Sequence, residues 1–184
     1  MKTAIKNKGY TYEDYVKTPD DIRYELIEGD LIMTPSPETR HQRIVGRLFA
    51  KLFAYVKEGN SGEVFISPFD VYLDNENVVQ PDILFISKER INIIGKKNVQ
   101  GAPDLIIEIL SEGNAYRDTI QKKKLYARFG VKEYWIIAPE DAMVEVYQLK
   151  SEGEYQLYKT YIKKGIIESF ILSGMQVDLK EIFE

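Results

Sequence analysis

The sequence predicts a single α/β (α+β) domain: a mixed β-sheet flanked by helices. Three observations carry that expectation. Two segments, 38–57 and 115–129, repeat apolar residues at helical spacing. Short runs rich in β-branched and aromatic residues, bounded by Gly, Pro and Asn, separate and follow them. One run, Asp104-Leu105-Ile106-Ile107-Glu108-Ile109-Leu110, is apolar almost throughout, the pattern of a central strand covered on both faces. The chain of 184 residues suits one domain and is long enough to bury a core without cross-links.

The elements follow in order. A short helix is expected over 11–18. A hairpin comes next, with strands 23–27 and 31–34 joined by Glu28-Gly29-Asp30. Pro35-Ser36-Pro37 ends it and opens the helix 38–57. At about 100° per residue, His41, Val45, Leu48, Leu52 and Val56 share one side of this helix, and Arg43, Arg47 and Lys51 the other. Strands are expected over 63–73, 83–86 and 104–110. The second helix starts after Asn114, a good N-cap residue, and stops at Gly130. Strands 133–138, 143–149 and 155–162 complete the series. No repeat or linker breaks the chain, which reads as one domain over 1–184 with residues 1–9 as a flexible basic tail.

Scarce residues restrict the chemistry. Cysteine is absent, which removes disulfides, thiolate nucleophiles and cysteine-based metal centres. His41 is the one histidine, so a multi-histidine zinc site is impossible within one chain and a serine triad would have to run through it. A catalytic metal would need mainly oxygen ligands, which points to magnesium or manganese. The net charge of −4 argues against strong non-specific DNA binding. No apolar run is long enough to span a bilayer, and the basic N-terminus has no apolar stretch behind it. The expected address is cytoplasmic, with no membrane partner.

Three ionisable residues stand where the apolar pattern wants none. Glu108 interrupts the central strand. A buried carboxylate is costly unless a cation or donor meets it, so Glu108 marks either a site or a structural ion pair. Asp82, in Gln80-Pro81-Asp82-Ile83, opens an apolar strand; alone it reads as a turn residue, and beside Glu108 as half of an acidic pocket that needs a cation. In the second helix Leu125, Tyr126 and Phe129 define the buried face. Asp118 and Lys122 fall inside it, whereas Arg117, Gln121, Lys124 and Arg128 cluster on the solvated side. Of three consecutive lysines, the period therefore selects Lys122 as the inward one. It either pairs with Asp118 one turn away or reaches Glu108. His41 reads as a core or rim histidine, Glu25 as a sheet-face charge, and Arg43, Arg47 and Lys51 as a solvated face. No phosphate-cradling glycine loop is present.

Taken together, Tyr24-Glu25-Leu26-Ile27-Glu28-Gly29, Pro35-Ser36-Pro37 with His41, Pro81-Asp82-Ile83, Leu105-Ile106-Ile107-Glu108-Ile109-Leu110-Ser111, and Asp118, Lys122 and Tyr126 before Gly130-Val131-Lys132-Glu133-Tyr134-Trp135 resemble the Uma-two family of restriction-endonuclease-like proteins, within the PD-(D/E)xK nuclease superfamily. The resemblance covers residues 10–180. It implies a restriction-endonuclease-like core with metal-bound carboxylates. Asp82 matches the Asp of the motif and Glu108 its second acidic residue. The sequence departs from the simple pattern at Leu110, where the motif has Lys; Lys122 is the natural replacement. Glu25 and His41 match further family positions bordering the pocket.

The expected function is a Mg²⁺- or Mn²⁺-dependent DNA endonuclease that hydrolyses phosphodiester bonds. Asp82 and Glu108 are the expected metal ligands, Lys122 the third catalytic group, and Glu25, His41 and Asp118 the supporting residues. Asp118 is expected to fix Lys122, and DNA is the expected partner, met as a homodimer. The alternative is a catalytically inactive nuclease fold acting as a binding or structural module, its charges tied in a static network.

Overall fold

The computed structural model describes residues 9–19, 21–111, 117–151 and 153–184, with backbone alone for 117–119. In chain order the elements are α1 (Tyr12–Tyr15), β1 (Tyr24–Ile27), β2 (Asp30–Met33), α2 (Thr39–Gly59), β3 (Gly62–Ile66), β4 (Asp70–Asp74), β5 (Asn77–Val79) and β6 (Ile83–Ser87). A 3₁₀ turn (Lys88–Ile93) leads to β7 (Asn98–Gln100) and β8 (Leu105–Ile109). One stretch of π-helix (Arg117–Lys122) runs into α3 (Lys123–Phe129), and β9 (Glu133–Ala138), β10 (Met143–Leu149), β11 (Tyr155–Ile162), β12 (Ile166–Glu168), β13 (Gln176–Asp178) and α4 (Leu179–Phe183) follow.

The predicted class holds: the fold is mixed α/β. The single expected sheet, however, is two larger sheets and a small one. The six-stranded sheet runs β11-β10-β9-β8-β6-β3, with β8 and β9 parallel and its other neighbours antiparallel. The five-stranded sheet runs β2-β1-β5-β4-β7, and β12 pairs with β13. The expected strand 63–73 is two strands, one in each sheet, because Ser67-Pro68-Phe69 carries the chain across. Proline has no amide for a ladder and ends β3. The hairpin is as expected, with Glu28 and Gly29 both at positive φ (51° and 76°), the geometry of a tight two-residue connection. Glycine suits the second position, and Asn77 Oδ1 accepts from the Glu28 amide at 2.9 Å.

The two faces of β8 organise the interior. Leu105, Ile107 and Ile109 point to one side, where α2 lays Ile44, Leu48, Leu52 and Val56 against them together with Trp135, Ile137, Val144 and Val146. Ile106 points to the other, packed with Leu84, Ile86, Tyr134 and Ile136, α3's Leu125 and Tyr126, and Ile27, Val71 and Val79 of the five-stranded sheet. By strand alternation Glu108 belongs to this second side. Arg47 and Lys51, expected on a solvated face, hold α4: Arg47 donates to the Ile182 carbonyl at 3.3 Å and Lys51 to Glu181 at 2.9 Å. The C-terminal segment is tied down by Glu133, fully buried, which accepts from Trp135 Nε1, Ser169 Oγ and the Ile171 amide.

Candidate active site

The ladder between β6 and β8 ends at Ile83 opposite Ile107. One residue further along each chain stand Asp82 and Glu108, so the antiparallel register sets the two acidic residues at one edge of the same sheet. Four elements meet there: this sheet edge, the β1–β2 hairpin, the first turn of α2 and the start of α3. They enclose a cavity of about 320 Å³, lined among others by Arg23, Glu25, Thr34, His41, Ser67, Gln80, Asp82, Glu108 and Lys122.

Of the partners the helical period offers Lys122, the structure shows Glu108. The side chain points inward and the residue is 4% exposed. Its Nζ lies 2.9 Å from Glu108 Oε1 and 2.8 Å from Glu25 Oε1, both residues being buried. One ammonium thus holds two carboxylates from two different sheets, the pairing that burial of such charges demands. The turn of π-helix and α3 deliver it; the expected regular helix over 115–129 is α-helical over Lys123–Phe129. Asn114 and Ala115 lie outside the described residues, and so does the side chain of Asp118. Glu25, read as a sheet-face charge, is a buried partner of Lys122 and also accepts from the Gln80 amide at 2.9 Å.

Asp82 and His41 form the second cluster. Asp82 Oδ2 accepts from the Ile109 amide at 2.8 Å and faces His41 Nε2 at 3.1 Å. His41 sits on the buried side of α2 in its first turn, as its spacing predicts, and is in contact with Asp82. Asp82, Glu108, Lys122, Glu25 and His41 therefore all line one cavity.

Tyr126 and Gln80 were not singled out as site residues by the sequence. Tyr126, fully buried, donates its hydroxyl to Glu108 Oε1 at 2.7 Å. Its position four residues after Lys122, on the same helical face, was the available signal. Gln80 had no comparable mark; just past the end of β5, it makes its contacts through both backbone and side chain.

The donors suit a hard divalent cation. Four carboxylates line the cavity, from Glu25, Glu38, Asp82 and Glu108, against the cations of Arg23 and Lys122, an excess of two negative charges with neutral His41. Both described hydrogen bonds of the Asp82 carboxylate fall on Oδ2. Among the described residues, no three acidic or histidine side chains already converge as a complete ligand set, so a bound ion would draw on Asp82 and Glu108 with backbone carbonyl and water oxygens.

Comparison with known proteins gives the family and the fold. A family model described as "Uma2: Putative restriction endonuclease" matches residues 11–180. The chain belongs to that family. A solved structure from Anabaena variabilis, described as "a putative nuclease belonging to DUF820", is similar at 21% identity over 94% of this chain and 97% of that one, with a TM-score of 0.77. Its fold is the fold of this family member. No curated protein matches the chain.

Proposed function

We propose that this member of the family is a metal-dependent phosphodiester hydrolase acting on DNA, of the PD-(D/E)xK type with its lysine supplied from a helix. The observation that supports this most is Lys122 Nζ held against Glu108 at the cavity that Asp82 also lines. Asp82 and Glu108 would hold Mg²⁺ or Mn²⁺. Such an ion, when bound, supplies Lewis acidity toward a phosphoryl oxygen and makes water acidic enough to attack at neutral pH.

The side chains do the rest. Lys122 presents a fixed positive charge toward the place where the phosphate gains negative charge, and Glu25 holds it without reorganisation. Tyr126 fixes one oxygen of Glu108, and His41 and the Ile109 amide fix one oxygen of Asp82, so each carboxylate keeps one orientation. Cutting both strands of a duplex calls for two such cavities, and a homodimer would bring them together.

Calorimetric titration with Mn²⁺ tests the metal site. The parent should bind, and Asp82→Ala and Glu108→Ala should each lose most of the affinity; equal binding by all three rejects it. Cleavage of plasmid and linear DNA with Mn²⁺ tests the activity, which Lys122→Ala should abolish. A second reading, a nuclease fold kept as a binding module, is favoured by one feature: Lys122 is already neutralised by two carboxylates. Metal binding without cleavage of any DNA form would support it.

A further inference from the structure

The β1–β2 hairpin contributes two cavity-lining side chains that the chemistry above does not use. Arg23 and Thr34 face each other across it, continuing the ladder by one step, with the Thr34 amide donating to the Arg23 carbonyl at 2.8 Å. Directly opposed residues of an antiparallel pair project to the same side, and both side chains line the cavity. Arg23 lies two residues from Glu25 along β1, hence on the same face and roughly 7 Å from it.

Arg23 is held by uncharged partners. Its Nε donates to Gln80 Oε1 at 3.1 Å and Nη2 donates to Ser67 Oγ. The Gln80 amide is oriented by its other end, where Nε2 donates to Asp70 Oδ1 at 2.8 Å and to Tyr15 Oη at 3.2 Å. A carboxylate can only accept, so the amide oxygen is left facing Arg23. Among the described residues Arg23 makes no ion pair, in contrast with Lys122, which two carboxylates neutralise. A guanidinium has five N–H donors in a rigid fork, and only two are committed to Gln80 and Ser67. Thr34 adds an independent mark: its Oγ1 is buried and has no hydrogen-bond partner among the described residues. A buried hydroxyl left this way is costly unless a ligand completes it.

We propose that Arg23 and Thr34 form an oxyanion subsite that takes a phosphate of the polynucleotide backbone beside the one to be cut. An unneutralised fork and an unanswered hydroxyl on one wall fit the non-bridging oxygens of a phosphate, the forked geometry for which arginine is suited. The net negative cavity explains why such a cation is needed there: the acidic cluster repels the polyanion, and Arg23 offsets that repulsion along the strand. This subsite deepens the hydrolase reading and rests on it for the identity of the phosphate.

The experiment has two arms. In the first, inorganic phosphate is titrated into the parent while the Arg23 Nε–H and Thr34 amide resonances are followed by NMR. Both should move, and Arg23→Gln should weaken binding about tenfold or more. Thr34→Val, which leaves the Gln80 and Ser67 bonds of Arg23 in place, should weaken it several-fold without lowering the thermal unfolding midpoint. Resonances that stay still, or equal affinities in parent and variants, overturn the subsite. In the second arm a fluorescein-labelled DNA duplex is titrated with Ca²⁺ present. Arg23→Gln should weaken binding and lower the log–log salt slope by about one. Phosphate binding that depends on Arg23 without any DNA binding by the parent upholds the anion subsite and removes the DNA reading. DNA binding that ignores Arg23 does the reverse.

Discussion

Replacing Lys122 by Met removes the ammonium and keeps nearly the same volume. In the parent, Nζ sits 2.8 Å from Glu25 Oε1 and 2.9 Å from Glu108 Oε1, in a residue that is 4% exposed. Neither carboxylate can turn to solvent in its place, since Glu25 is 2% and Glu108 3% exposed. The variant thus keeps two buried anions that share no cation. Breaking a buried ion pair by deleting one partner costs about 3–5 kcal/mol. Backbone and hydroxyl donors soften that cost, because the Gln80 amide still serves Glu25 and the Tyr126 hydroxyl still serves Glu108. The loss should therefore fall near the lower end, about 3 kcal/mol, which for a chain of this length is roughly 6–12 °C in Tm. Urea denaturation at pH 7.5 followed by circular dichroism measures it. The double variant Glu25→Gln, Lys122→Met should recover part of the loss, since it removes one of the two stranded charges. A Lys122→Met midpoint within the error of the parent would refute the claim that this ammonium holds the two sheets' carboxylates together.

Other outcomes follow from the same contacts. Tyr126→Phe deletes a buried 2.7 Å bond to Glu108 and should cost about 1–2 kcal/mol in urea unfolding while lowering Mn²⁺ affinity in calorimetry. His41→Phe frees Asp82 Oδ2 from its imidazole neighbour and should weaken Mn²⁺ binding by about tenfold or more with little change in fold. Asp104 is buried, which alone would raise its pKa, but Lys132, the Ser87 amide and Arg90 hold it below the usual carboxylate range. A depressed folded pKa gives stability that is present above the unfolded value and lost as pH falls through the folded one. Asp104→Asn should therefore be destabilising at pH 7, with a penalty that closes below about pH 4 in urea midpoints. Burial outweighs the donors around Glu133 and raises its pKa, so the parent should lose some stability as pH climbs from about 4.5, and Glu133→Gln should flatten that slope.

Much of the site was legible because burial leaves a periodic trace. Helical spacing singled out Lys122 among three lysines and put His41 on the inner face of α2, and an unbroken apolar run marked β8 with Glu108 inside it. Alternation alone could not reveal that Asp82 and Glu108 end the same ladder, since register is a property of two strands and not of one. Glu25 looked exposed for a similar reason: its cation comes from a segment almost a hundred residues away. The split of 63–73 into β3 and β4 did have a signal, Pro68, but both halves are equally apolar and aromatic and read as one run. The three-residue strands β5, β7, β12 and β13 are too short to show a period; β5 and β7 form beside the longer β4, and β12 and β13 pair with each other. Arg43 and Lys51 are exposed as their spacing predicts, and the contacts of Arg47 and Lys51 with α4 were hidden because charge says nothing of whether a later helix will meet it.

Lys122 comes from a helix, whereas Glu108, the carboxylate it meets, sits on β8. The β-scaffold can thus close around its apolar layers with no ammonium threaded through it. The charged apparatus is completed by a separate piece of chain. Architecture and chemistry are in this way uncoupled: lineages of this fold could lose or re-site the cation by altering one helix and leave the sheets beneath it intact.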